Sequence, residues 1–257
     1  MGACQNALHS WGRANQVSFD SAKESKHILS RSRSLGGNFK LLGVSFDSKL
    51  LMAEAVADLA KNSRWKLKAI LRTRAFNTGT QLMTLYKTQL LPFIEYQTAA
   101  IYHACSSSLA LLDDVQAKLL AAAGVTPIEA LVSCRLAPLS CRRDMALLGL
   151  IHRTVIGKGP RHFQNFFRSN GANEGSHRFQ LEEFSTGDWT DYLYPGSRPA
   201  AYVRHSILGL VRVYNHLPAE IVENSSSVSI FQTKLQQKLT QHATGADIQW
   251  ISLFSPR

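Results

Sequence analysis

From Asp47 to Arg168 the apolar residues recur with a period of 3.6, and this rhythm constrains the fold more than any other feature of the chain. Met52, Val56, Leu59, Leu67 and Ile70 fall on one face of a helix expected over roughly 51–74. Leu82, Leu85, Leu90 and Ile94 mark a second over roughly 80–103, which Pro92 should kink or break. Leu109, Leu112, Val115 and Leu119 mark a third over roughly 107–123, with Gly124 as its cap. A short helix is expected over 127–132. A fourth long one, over roughly 140–156, carries Met145, Leu148, Ile151 and Val155 and ends at Gly157 and Gly159-Pro160. Amphipathic helices in this number hide their stripes by packing on one another, so a helical bundle is expected over 51–168.

The flanks read differently. A helix tail over 7–14, with Leu8 and Trp11 three apart, precedes a short strand candidate at 17–19. Two further strands are expected over 26–30 and 39–46, paired antiparallel. Arg31, Ser32, Arg33, Ser34, Gly36 and Gly37 between them are hairpin-like. Residues 169–200 break the helical pattern with Asn170-Gly171, Gly175, Gly187, Pro195-Gly196 and Pro199, and read as an irregular linker. A smaller helical unit follows over 201–245, built from 203–216 and 228–242, and then a tail over 246–257. The expected fold is mainly α: a small β-hairpin region over 1–50, a helical bundle, and a smaller C-terminal helical unit.

Charge narrows the function. The 257 residues hold 29 Lys and Arg against 18 Asp and Glu, a net charge of +11, and the pI is near 9.7. That imbalance points to a polyanionic partner, either nucleic acid or an anionic membrane surface, unless the chain is merely a soluble basic protein. The four cysteines are too few for a disulfide scaffold and form no C-x-x-C, so all read as reduced thiols. No stretch reaches the roughly 18 apolar residues of a membrane span, and the N-terminus has no apolar signal region. The opening Met-Gly carries Asn6 where a myristoylation signal needs Ser or Thr. An intracellular, soluble protein of the nucleus or cytoplasm is expected. His152 and His162 are too far apart in sequence for a metal pair, and no H-E-x-x-H, Gly-x-Ser-x-Gly or Gly-rich phosphate loop occurs. No metal site is expected.

Within the first long helix Lys61, Arg64, Lys68 and Arg72 are spaced three, four and four apart. They share one stripe, within about 80° of each other, opposite the apolar face. No acid occurs from Leu59 to Ile94. A cationic stripe on a rigid rod suits the evenly charged backbone of a nucleic-acid helix. Trp65 lies beside the stripe, where it could stack on a base or sugar. The alternative is a solvated face with Asp58 paired to Lys61 and Trp65 packed on another element. A second basic region runs from Arg135 to Arg168. Arg142 and Arg153, eleven apart, share a face with the small residues Ala146 and Gly149, which would let a backbone approach closely.

Several segments also resemble a known family. Trp11, Asn15, Phe19-Asp20-x-x-Lys23 and then Phe39-Lys40-Leu41-Leu42-Gly43-Val44 resemble polymerase motifs D and E of the reverse transcriptases of LINE-type (non-LTR) retrotransposons. The likeness continues through Leu85-Tyr86-Lys87-x-x-Leu90-x-Pro92-x-x-Glu95-Tyr96, Asp114-Val115-Gln116-Ala117-Lys118 and Leu136-Ala137-Pro138-Leu139-x-x-Arg142-Arg143. It ends with Tyr214-Asn215-x-Leu217-Pro218 and Val228-x-x-Phe231-x-x-x-Leu235. Each motif is weak alone; their order is what gives the likeness its specificity, and it is weakest over 169–200.

The resemblance implies the end of a polymerase palm over 1–50, a thumb over 51–168, and an RNA-directed DNA polymerase that works with Mg²⁺. It places Lys23 at the motif D lysine and Leu42-Gly43 at the primer-grip turn. The family's metal-binding aspartate motifs would lie before residue 1, and the sole Asp-Asp pair here, Asp113-Asp114, falls in a helical stretch. Adjacent helical positions point about 100° apart and cannot clamp two ions. The chain is therefore expected to keep template–primer binding, RNA or DNA held through its phosphates, without the catalytic metal site. It should be inactive alone, with Lys23 idle and no cofactor of its own. Alternatives are a non-enzymatic nucleic-acid-binding module, a partner that completes an upstream palm fragment in trans, or a decayed element.

Overall fold

The computed structural model describes residues 2–20, 24–29, 35–170, 179–183, 203–245 and 247–256. The chain divides into two compact units, Met1–Leu50 and Leu51–Arg257. It is mainly α, with one small antiparallel hairpin.

The first unit opens with α1 (Gly2–Ala14). The chain then doubles back, with Val17 N donating to Gly12 O at 2.8 Å. Phe19 lies so close that a Cβ on Gly12 would fall 2.4 Å from its ring, so a bare backbone is required there. His9 meets Phe19 edge-on at 5.5 Å. Residues 17–19 therefore pack as an extended return on α1 and not as the expected strand. Hydrogen bonds from Gln5 and His9 hold the Glu24 carboxyl below its usual range.

The hairpin corrects a second expectation. Phe39–Leu41 (β1) pairs with Val44–Phe46 (β2), in the register Phe39↔Phe46, Lys40↔Ser45 and Leu41↔Val44. The stretch read as one strand thus folds on itself. Leu42 and Gly43, at φ 49° and 80°, form the two-residue turn. Two successive residues with positive φ make a type I′ turn, whose twist matches that of the flanking strands. Phe39 and Phe46 stack at 5.5 Å across the pair. The expected partner strand at 26–30 contributes only an isolated bridge, Ile28 to Leu35. Lys23 and residues 30–34 lie outside the described residues.

In the second unit α2 (Ala53–Arg72) buries Ala55, Val56, Leu59, Ala60, Ser63, Leu67 and Ile70, the face its periodicity marked, and packs along α6 (Ser106–Ala123). α3 (Gly79–Leu85) starts with a capping box: Thr78 Oγ1 accepts from Gln81 N, and Gln81 Oε1 accepts from Thr78 N. Pro92 does not break the helix that follows. A π-helical turn, Tyr86–Leu90, precedes α4 (Leu91–Glu95), and Leu91 N donates to Tyr86 O five residues back. Pro92 lacks an N–H and its ring would strike the carbonyl of Thr88 in a regular helix; the widened turn accommodates it. After the short α5 (Thr98–Ile101), α6 ends at Gly124 with φ 66°, the left-handed cap that the sequence marks. α7 (Pro127–Cys134) opens with a second capping box, Thr126 with Glu129.

α8 (Leu139–Val155) is buried on nearly every side. The helices after residue 200, α9 (Gly209–Asn215), α10 (Ala219–Val222) and α11 (Val228–Thr244), share its core. The expected separate C-terminal unit is thus part of the same body as the bundle. The fully buried His152 shows why. Its ring stacks on Phe231 at 4.2 Å, Nε2 lies 2.8 Å from Ser225 O, and Nδ1 lies 3.0 Å from Tyr214 Oη. A carbonyl can only accept, so Nε2 carries the hydrogen and Nδ1 accepts from the tyrosine. One side chain on α8 thereby ties in α9, α11 and the loop between α10 and α11.

Gly149 explains how α11 comes so close. A Cβ there would fall 2.6 Å from Gln232 Nε2 and 3.2 Å from Val228 Cγ1. Replacing a helical glycine gains about 0.5–1 kcal/mol of propensity, whereas overpacking typically removes about 1–3 kcal/mol. Gly149→Leu is therefore expected to lower the urea midpoint. Ala146→Leu, on the exposed side of the same helix, should leave stability within about 0.5 kcal/mol.

Candidate nucleic-acid interface

The side of α2 turned away from α6 carries the cationic stripe. Lys61, Lys68 and Arg72 are exposed and Arg64 is half-buried. None of the four forms an ion pair among the described residues. The expected alternative, Asp58 paired to Lys61, is not among the ion pairs of the described residues. From Lys61 to Arg72 the stripe spans about 16 Å at 1.5 Å per residue, close to the axial rise of five base pairs. Trp65, on its flank, is 73% exposed. Lys66 points elsewhere: its Nζ sits 4.9 Å over the Phe93 ring, a cation–π contact that helps hold α2 to α4.

The exposed line does not stop with the helix. Thr73 N and Oγ1 both donate to Ile70 O, and Phe76 N donates to Thr73 O. The chain so tightens into a 3₁₀ turn, Arg74–Phe76, which adds Arg74 and a Phe76 that is 88% exposed. Sequence reasoning stopped at Arg72 and missed these two. The signal was present, since Arg74 and Phe76 continue the acid-free stretch.

In the second basic region Arg135, Arg153, Lys158, Arg161 and Arg168 are exposed, but several of the cations are engaged within the protein. Arg142 Nε donates to Glu95 Oε1 at 2.5 Å, and Arg143 Nη2 to Asp113 at 2.9 Å. Arg153 Nε caps Lys158 O at 2.9 Å, and Lys158 Nζ donates to Ser226 O at 3.0 Å. The small residue between Arg142 and Arg153 that was expected to admit an outside backbone, Gly149, instead receives α11. Arg142 lies beside Tyr86, whose fully buried hydroxyl is pushed above its usual range chiefly by loss of water.

Several of the motif residues of the second unit make specific contacts here. Tyr86, Glu95, Arg142 and Arg143 gather between α3, α4, α6 and α8. Lys87 Nζ donates to Cys134 O at 2.9 Å, and Gln116 Nε2 to Ala137 O at 3.1 Å. They brace the bundle. The primer-grip-like Leu42 and Gly43 form the tip of the hairpin in the first unit, where Leu42 is 80% exposed. The adjacent Asp113 and Asp114 do not fit the Mg²⁺ that the resemblance implies. Asp113 is held by Arg143, and among the described residues no three His, Cys, Asp or Glu side chains are grouped to hold an ion.

Cys105 is a chemically distinct thiol that sequence reasoning treated like the others. It immediately precedes α6, exposed, with Sγ 3.2 Å from Ser107 Oγ and 3.0 Å from Ser108 Oγ. Those hydroxyls, with the amide of Ser108, draw its pKa down to about 7. Cys141 is buried among apolar groups, donates to Ile251 O, and is pushed up to about 12. Because the thiolate is the reactive form, iodoacetamide should modify Cys105 with a rate that rises through pH 7 and levels off by about pH 8. Ser107→Ala with Ser108→Ala should move that rise upward, toward the pKa of an ordinary thiol. Cys141 should stay unmodified until the protein unfolds.

No family model, curated protein or solved structure matches the chain.

Proposed function

We propose that the chain binds nucleic acid along α2, gripping backbone phosphates with Lys61, Arg64, Lys68 and Arg72. The observation that carries this is a straight cationic line with no ion pair among the described residues, set in a stretch without an acid from Leu59 to Ile94. Regular spacing on a rigid helix offers a polyanion several contacts at once, and each contact releases counterions. The net charge of +11 adds a long-range attraction. An anionic membrane is a poorer partner. A helix lying on a bilayer must give its apolar face to the lipid, and the apolar face of α2 is spent on the core. Among the described residues no single helix is long and apolar enough to cross a membrane.

The ordered motifs give this reading a finer form: the template–primer-gripping thumb of a LINE-type reverse transcriptase, with the palm-like hairpin beside it in sequence. Arg142, ion-paired to Glu95, and Arg153, exposed but with its Nε donated to Lys158 O, are left out of the proposed surface.

Binding should be strongly salt-dependent and weakly sequence-dependent. Each lost phosphate contact on B-form duplex flattens the plot of log K against log salt by about 0.9. Changing Lys61, Arg64, Lys68 and Arg72 together to Ala should reduce the slope by at most roughly 3–4, with the urea midpoint kept. An unchanged slope in a folded variant would reject this face. Primer extension by the chain alone with Mg²⁺, surviving Asp113→Ala with Asp114→Ala, would reject the thumb reading.

A further inference from the structure

We propose that the ligand of this face presents unpaired bases, and that Trp65 and Phe76 stack on them. This assignment rests on the phosphate-binding reading of α2 and adds a substrate class to it: single-stranded nucleic acid, or a single-stranded stretch beside a duplex. A surface that only counts phosphates needs cations alone. This one also holds two large aromatic side chains out in water, Trp65 at 73% and Phe76 at 88% exposure. Neither ring stacks on another ring among the described residues.

Their placement is what selects the ligand. Taking Lys61 as the origin, Trp65 lies about 40° round the helix, Lys68 about −20° and Arg72 about 20°. Phe76, eleven residues after Trp65, lies exposed in the 3₁₀ turn just beyond the helix end, on the Trp65 side of the stripe in rotation. The two rings are about 16 Å apart along the axis, with Lys68 and Arg72 between them. That alternation of ring and cation matches a single strand, in which flat apolar bases alternate with phosphates. In a closed duplex the π-faces are hidden in the stack, so neither ring could reach one. A bilayer is disfavoured by the same alternation, because charges interrupt the apolar surface where a membrane-inserting face needs continuity.

The full-length chain can be tested by fluorescence anisotropy with a labelled oligo(dT) of about 20 nucleotides and with a blunt DNA hairpin of equal phosphate count. Vesicles of phosphatidylserine and phosphatidylcholine serve as a third ligand. The oligo(dT) should bind more tightly than the hairpin. Trp65→Ala and Phe76→Ala should each weaken oligo(dT) binding by about 5-fold or more, the lower end of what one stacked base is worth. They should leave the salt slope unchanged and hairpin affinity within about 2-fold. Trp65→Phe should keep most of the affinity. Both side chains are exposed, so urea midpoints should hold. Equal loss on both oligonucleotides, no loss on either, or binding to vesicles in preference to oligo(dT) would overturn the stacking proposal. Phosphate binding would still stand if the four-cation variant flattened the slope. Binding to neither oligonucleotide would overturn both readings.

Discussion

The burial of α8 is the constraint on which the larger unit depends. A helix enclosed on nearly every side must give each of its polar groups a partner, because an unpaired one would lose its water for nothing. α8 meets most of this demand by reaching outward, with Arg143 Nη1 left over. Asp144 accepts from Tyr102 Oη at 2.6 Å, Arg143 meets Asp113 on α6, Arg142 meets Glu95 on α4, and His152 joins Tyr214 and Ser225. These contacts add direction to apolar packing that has none of its own. A Leu at position 152 could fill space, but it could not fix which neighbour sits where.

This interior separates two kinds of residue. Family-like positions such as Glu95, Gln116 and Arg143 are held by specific partners at hydrogen-bond distance. The exposed residues that would meet a ligand, Lys61, Arg64, Trp65, Lys68, Arg72 and Phe76, lie outside every family-like motif. Physics accounts for that. A buried pair fails if either member moves by an ångström, whereas attraction between an exposed cation and a phosphate falls off gently with distance.

The chain's period of 3.6 made the buried face of α2 and the cap at Gly124 readable, because both are local. Less of the remainder was. The strand pattern over 39–46 hid the hairpin turn, because Leu42 is not a residue that favours positive φ; only the resemblance placed a turn at Leu42-Gly43. The union of α8 with α9 and α11 was hidden because linker composition over 169–200 says nothing about which surface the next helix meets. Arg142 looked available for a ligand because Glu95, its partner, is 47 residues away in sequence. The four cations within α2 were legible from their spacing, whereas Arg74 and Phe76, which extend the line beyond the helix end, were not.

The wide turn at Tyr86–Leu90 has a consequence for how the chain tolerates change in length. A π turn holds one residue more than an α turn, so everything after it is rotated by about 100° relative to an unbroken helix. Glu95 reaches Arg142 from that rotated position. The turn therefore acts as a phase adjuster. Deleting one residue within it would press the Pro92 ring against the carbonyl one regular turn earlier and would swing Glu95 and the rest of α4 round to a different neighbour. At this point in the chain, a change of one residue in length acts on the bundle as a change of angle.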